Sequence, residues 1–453
     1  MYTHDVSATD STATNNTAYG FIALDAITTG DNNTALGYSA GGAMTTGFSN
    51  TLVGRSAGSL IVSGNNNVAI GKDALKIETE GDRNVAVGTS ALASQVNGST
   101  LDVYNVAVGY NAGLSVTTGT ENVLIGGLAG DGLNAGEDNV AIGHSALGQE
   151  TTGSFNVAVG HKSLATLNVD DDGNNTAVGY RSGVAMTTGI ENTIVGSGAG
   201  DALTTGSYNV ALGYAALSTE DVGSRSTAVG FAALSVQNVD GNIYNTAVGY
   251  DAGAAVTSGV HNTIIGGLAA DSLTTGSYNV AIGKGALASE DEHSYNVAIG
   301  LNALTSQNAN ADAYNVAVGA SAGGAVTTAV NNTLIGGLAG DAITTGSQNV
   351  ALGYNSLGSD TIGNSNIAIG HLALTTNVAA DRNVAIGINA LAVMTSATTA
   401  DTYNTAVGYS AGAAVTSGTE NTIIGGQAGD ALTEGSRNVA LGKSALSAED
   451  TGS

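Results

Sequence analysis

The stretch Asn105-Val-Ala-Val-Gly-Tyr-Asn-Ala-Gly-Leu-Ser-Val-Thr-Thr-Gly119 decides how this chain is read. Its opening pentapeptide is Asn, then Val, Thr or Ile, a small or apolar residue, a further apolar residue, and Gly. The same pattern begins again at Asn122 and at Asn139, 17 residues later each time. Followed outward, it occurs 25 times from Asn16 to Asn438, and Asn opens every copy but one, where Ser226 stands. Of the 24 intervals, 19 are 17 residues long, three are 19 and two are 21. A period this strict predicts one continuous repeat structure over residues 16–453, preceded by an extension over 1–15.

A slower order lies on top of the first. Four copy types follow one another. Type A resembles Asn105–Gly119, and type B reads like Asn262–Gly276, NTIIGGLAADSLTTG. Types C and D carry Ala-Leu (Ala286-Leu287) where A and B mostly carry Ala-Gly (Ala252-Gly253). Type A recurs at Asn105, Asn175, Asn245 and Asn315, every 70 residues, and all five long intervals follow a D copy. The unit of design is a four-copy block with a longer loop at one corner.

Seventeen residues are too few for a helix pair. Val, Ile and Thr favour strands, and a Gly inside every copy opposes helix. The expectation is two short strands per copy, the pentapeptide and the Ser-Ala-Leu or Ala-Gly segment, stacked in register. The fold class is therefore all-β: a parallel β-solenoid or β-roll of about 25 rungs, with a 17-residue repeat and a four-rung super-repeat of about 70 residues. In such a stack the Asn column can form a ladder, each amide donating to one neighbour, accepting from the other and satisfying turn groups. Its members are Asn33, Asn50, Asn67, Asn105, Asn122, Asn139, Asn175, Asn192, Asn209, Asn245, Asn262, Asn279, Asn315, Asn332, Asn349, Asn404, Asn421 and Asn438. The strands carry apolar residues on both faces, as in Thr263-Ile264-Ile265. Strands covered on both sides point to association between chains as well as to a private core.

Composition narrows the function. Lys and Arg number 11 against 37 Asp and Glu, a formal charge of −26, which opposes binding to nucleic-acid phosphates. No apolar run approaches the ~20 residues of a membrane-spanning helix, so no membrane insertion is expected. Without Cys there are no disulfides or thiolate metal sites.

The phrase Asn-Thr-Ala-Val-Gly-Tyr-x-Ala-Gly stands at Asn245–Gly253 and Asn404–Gly412, and at Asn175–Gly183 with Ser182 in place of Ala. It resembles the head repeats of trimeric autotransporter adhesins and related repeats of phage tail fibres and environmental extracellular fibres. The resemblance implies a left-handed parallel β-roll, commonly trimeric, outside a cell or on a virion.

Candidate sites are few. Asn168-Val-Asp-Asp-Asp-Gly173 matches the first half of an EF-hand loop, with Asn168, Asp170 and Asp172 as Ca²⁺ ligands, but position 12 is Gly179 instead of Glu. His144 and His161 occupy the same position on adjacent rungs, ~5 Å apart, a spacing that could hold a metal but also suits a variable exposed column. Of five Asn-x-Ser/Thr sequons, at Asn15, Asn32, Asn97, Asn174 and Asn331, only Asn97 is independent of the repeat and a candidate for glycosylation. No catalytic set clusters or repeats, and no cofactor is implied.

The reading is a non-enzymatic extracellular fibre protein that self-assembles and mediates adhesion, with glycans as candidate ligands. The alternative is a receptor-binding or shaft module of a phage tail fibre or trimeric adhesin. The four-step order would run on from the C copy at Asn438 to the D copy at Asn16 of a second molecule. That predicts head-to-tail stacking with residues 1–15 at the junction.

Overall fold

Every pentapeptide builds one three-residue strand, beginning on the residue after the opening Asn, or after Ser226 in the one copy that Ser opens. The computed structural model describes residues 12–98, 102–395, 400–448 and 450–451. From β1 (Thr17–Tyr19) to β25 (Val439–Leu441) the strands are parallel and form a β-solenoid, with no helix among the described residues. Val68 lies opposite Val85 across a 17-residue step. The longer steps keep the same register, Val85 opposite Val106 and Val157 opposite Thr176, so their extra residues are absorbed outside the strand.

Packing divides the chain into two compact units, Met1–Ser226 with Asp240–Asn242, and Thr227–Val239 with Ile243–Ser453. The first holds β1 to β12 (Val210–Leu212), the second β13 (Thr227–Val229) to β25. Of the expected N-terminal extension, residues 1–11 lie outside the described residues. Residues 12–15 already follow the repeat. The Asp31 carboxylate accepts from the Thr14 N–H at 2.6 Å and its hydroxyl at 3.0 Å, and Asn15 repeats the left-handed φ of Asn32.

The second strand expected in each copy does not form. In its place the chain turns, because two residues of the segment take left-handed φ, as at Ser90 (57°) and Leu92 (48°) on either side of buried Ala91. An extended strand cannot accommodate such residues. The segment still bonds from rung to rung: the Ser90 N–H donates to Lys72 O at 2.9 Å and the Leu92 N–H to Ala112 O at 3.0 Å. The Gly that closes each strand begins the bend. At Gly109 φ is +144°, and a Cβ there would run into the Gly126 carbonyl of the next rung, so only Gly fits.

One strand face is buried and the other is not. The middle residue of β6 (Val106–Val108) is fully buried while its two neighbours are partly exposed, and this pattern recurs throughout the strands between the chain's first and last rungs. The apolar outer face read from the sequence is therefore uncovered within a single chain.

Core volume explains the four-step order. B rungs carry Leu or Ile in mid-strand (Leu124, Ile264) and a small residue at the second left-handed turn position, Gly130 in the one and Ala270 in the other. C and D rungs carry Ala in mid-strand and Leu at that turn. In an A rung the turn residue is Gly because large neighbours press on it from both sides. A Cβ on Gly113 would meet Leu124 Cδ1 at 2.7 Å and Leu92 Cδ2 at 2.9 Å. Each rung thus hands volume to the next, and the rungs are not interchangeable.

Gly113→Ala should therefore overpack the core and cost about 1–3 kcal/mol. Gly98→Ala, where a Cβ meets nothing within 4 Å, should change little. Chemical denaturation of the two variants side by side checks this; equal effects would contradict the volume account.

Candidate functional site

Burying the backbone of a bend leaves its N–H and C=O groups without water, and each must find a partner. The Asn column supplies one set. Asn33 Oδ1 accepts the backbone N–H of Asn50 at 2.9 Å, and Asn33 Nδ2 donates to the Gly47 carbonyl of its own rung at 2.8 Å. The same pair of bonds recurs at Asn122, Asn192, Asn262, Asn332 and Asn349. These side chains are buried, although Asn438 is only partly so. The ladder differs from the expected amide-to-amide chain. Donation from amide to amide occurs only on some rungs, as from Asn50 to Asn33 at 3.0 Å and Asn122 to Asn105 at 3.2 Å. The principal partners are backbone groups, because the bend's own carbonyl and N–H lie closer to each amide.

A second buried polar column went unread in the sequence. Eleven residues after the Asn, A and B rungs place Val, Met, Ile or Leu in the core. C rungs place an acid there: Glu78, Glu150, Glu220, Glu290 and Asp360, all buried. Glu78 Oε1 accepts the N–H groups of Thr79 (2.7 Å), Glu80 (3.1 Å) and Gly81 (2.9 Å), so the carboxylate caps a tight turn. Its Oε2 accepts from Gln95 Nε2 on the next rung at 2.9 Å, and Gln95 Oε1 in turn accepts from Asn105 at 3.1 Å. Glu290, Gln307 and Asn315 repeat the relay at 3.0 and 3.0 Å. Asp360 bonds to Asn377 at 2.7 Å. Acid and amide shorten together, which keeps their head groups at one depth on stacked rungs. At Glu78 and Glu290 the relay lies beneath a D-to-A corner, where Asn105 and Asn315 also keep their bonds to the Gly119 and Ala329 carbonyls; Asp360 and Asn377 pair beneath a 17-residue step instead. The signal was present in the sequence: an acid every fourth copy at a position that is apolar in the A and B copies and mostly Gln or Asn in the following D copy.

Burial pushes the Asp360 carboxyl up to about 7, against donated hydrogen bonds from Gly363 and Asn377 that pull it down. Four B-rung acids, Asp131, Asp201, Asp271 and Asp341, are also raised, chiefly by desolvation.

The sites anticipated from sequence fare differently. Asn168 Oδ1 is occupied by the Thr151 hydroxyl at 2.7 Å, and Asp170, Asp171 and Asp172 are exposed. Among the described residues, the one group of three convergent acidic or His ligand atoms is Glu290, Asp291 and His293, not the Asp170–Asp172 loop. Glu290 Oε1 there already bonds to His293 Nδ1 at 3.0 Å as well as to turn N–H groups. Asn97 is 4 % exposed, and its N–H donates to Glu78 Oε1 at 3.2 Å, so its side chain is not presented for glycosylation. Ser99 of that sequon lies outside the described residues. His144 and His161 do stack, with centroids 5.5 Å apart, and Tyr180 continues the stack at 5.5 Å. Face-to-face rings direct their nitrogens alongside each other instead of toward a shared ion. The residue before each ladder Asn forms another outer column, where Tyr244, His261, Tyr278, Tyr295 and Tyr314 stack at 4.9–5.4 Å.

No family model matches the chain, and no curated protein matches it. Among the described residues, no helix is long and apolar enough to cross a membrane.

Two predictions follow from the buried columns. Asn262→Leu strips partners from the Asn279 N–H and the Gly276 carbonyl, at about 1–3 kcal/mol per orphaned group. Faster hydrogen exchange at the Asn279 amide, together with a lower unfolding midpoint, checks it. Asp360 makes stability depend on pH. Between pH ~4 and ~7 the folded chain holds a proton that the unfolded chain has lost, so stability falls as pH rises through this window and levels off above it. The loss amounts to as much as about 4 kcal/mol. Unfolding midpoints at pH 5 and pH 8 should show this slope, and Asp360→Leu, which places there the side chain that Leu133 gives its own rung, should reduce it.

Proposed function

We propose that this protein is a structural, self-associating fibre protein that works outside the cell or on a virion surface. The observation that carries this reading is the outer strand face. Across the 25 strands, the two outward positions of each hold Val, Ile, Leu, Thr or Tyr and never a charged residue. Ile70, Ile125, Ile265, Leu352 and Ile424 remain 37–41 % exposed.

In the second unit, 13 strands of about 10 Å at about 4.8 Å spacing offer roughly 600 Å² of charge-free surface. That is at the upper end of what an isolated soluble protein exposes in one patch. The occupant this face suits best is a second copy of the chain. A molecule of charge −26 repels its own kind everywhere except where charge is absent, and an identical period allows two such faces to meet rung for rung. The placement outside a cell rests on the repeat resemblance, as does the expectation that the assembly is trimeric. Head-to-tail growth remains part of the proposal, with lateral contact as its better-supported arm.

The test is sedimentation velocity across a wide concentration range. The chain should populate a defined oligomer, and Ile265→Lys with Ile299→Lys should dissociate it without lowering the unfolding midpoint of the isolated chain. A wild-type chain that stays monomeric at high concentration would overturn the proposal.

A further inference from the structure

The residue that follows each strand's closing Gly stands outward and aligns from rung to rung. Where consecutive rungs carry rings, the rings cover one another's faces: Phe21 on Tyr38 at 5.9 Å, His161 on Tyr180 at 5.5 Å, Phe231 on Tyr250 at 5.3 Å. The B rung interrupts this column. Its residue here is Gly127, Ser197, Gly267, Gly337 or Gly426 in five of six blocks, the first block carrying Arg55. A ring on the A rung therefore looks across a rung without a ring toward the C rung.

This interruption makes a cleft between Tyr180 and Tyr214, about 440 Å³ in volume, with Ser197 between the two rings. Two rungs at about 4.8 Å separate the walls by about 9.6 Å. A ring-shaped group lying midway would sit about 4.8 Å from each, inside the ~4.5–7 Å range of ring contacts. Both tyrosines are more than half exposed, so the mouth is open to solvent. The remaining lining is polar and of both signs. Arg181 offers guanidinium donors and Asp201 a half-buried carboxylate acceptor. Asp201 is held above its ordinary range by desolvation, with Arg181 pulling it back, which places the two groups within electrostatic reach.

We propose that the Tyr180–Tyr214 cleft binds a neutral pyranose residue of a glycan, its C–H faces stacked between the two rings and its hydroxyls bonded to Asp201 and Arg181. A pyranose has the two features that the cleft demands together, apolar faces and a rim of hydroxyl groups that both donate and accept. A nucleotide would share the flat ring, but its phosphates would meet a chain of charge −26. The slot also repeats. Tyr110, Gly127 and His144 stand at the corresponding positions 70 residues earlier, with Asp131 in the place of Asp201 and Asn111 in that of Arg181. Four rungs separate the two slots by about 19 Å, so one glycan chain or a glycan-coated surface could engage both. The proposal does not depend on self-association.

The test uses the full chain and saturation-transfer NMR with a probe panel of methyl glucoside, methyl galactoside, methyl N-acetylglucosaminide and their short oligomers. Binding of at least one neutral pyranoside is expected. Tyr180→Ala should weaken it by roughly ten-fold per slot, since ring stacking carries much of the contact. Ser197→Tyr, which supplies the missing ring and closes the slot, should abolish it there, with the unfolding midpoint of both variants unchanged. The strand-face variant Ile265→Lys should bind the sugar as the wild type does, which separates this site from the association surface. No binding by any neutral probe, binding only of acidic sugars, or binding undiminished when Ser197→Tyr is combined with Gly127→Tyr would overturn the proposal.

Discussion

The structure depends on one constraint: every buried bend must find partners for its backbone groups within a 17-residue rung. A ladder Asn does this with a single side chain, its oxygen on the next rung's N–H and its nitrogen on its own rung's Gly carbonyl. Because one of these bonds crosses to the neighbour, the same residue that closes a rung also fixes the register of the following one. A slip of one residue would turn Val outward positions into the core and leave the Asn bonds unmade. The closing Gly acts with it, since the adjacent carbonyl occupies the space a side chain would need.

The longer corners show how the constraint is met when the rung length changes. At the corners after the Asn84 and Asn296 rungs a buried acid, the amide on the next rung and the following ladder Asn form a relay, while that Asn keeps the bond to its own rung's carbonyl. A buried carboxylate is costly alone, but three turn N–H groups and an amide surround Glu78. At Asp360, one methylene shorter and followed by a 17-residue step, desolvation outweighs the donated hydrogen bonds.

Much of this was legible in the sequence, for reasons particular to the residues. The 17-residue spacing of Asn and Gly fixes strand number and register because both residues have backbone roles that few others can fill. The second expected strand failed because Ala-Leu pairs read as strand formers by composition, while the left-handed φ at Leu92 and its equivalents arises from packing between rungs. Asn97 looked like an independent loop residue, yet its neighbour Val96 follows buried Gln95, and the corner draws it inward. The acid column is not a recurring residue of every copy but a periodic exception, confined to the C rungs. The aromatic cleft depends likewise on a residue that is small, Ser197 or Gly127, and only rung stacking reveals what stands on either side of it.

The central claim is in-register stacking that passes undisturbed through a long corner. Spin labels on Thr118 and Thr188, equivalent exposed positions 70 residues apart in the first unit, bracket the corner at 167–174. Double electron–electron resonance between them should give one narrow distribution near four rungs, about 19 Å. A broad distribution, or a separation longer by a rung or more, would contradict the account.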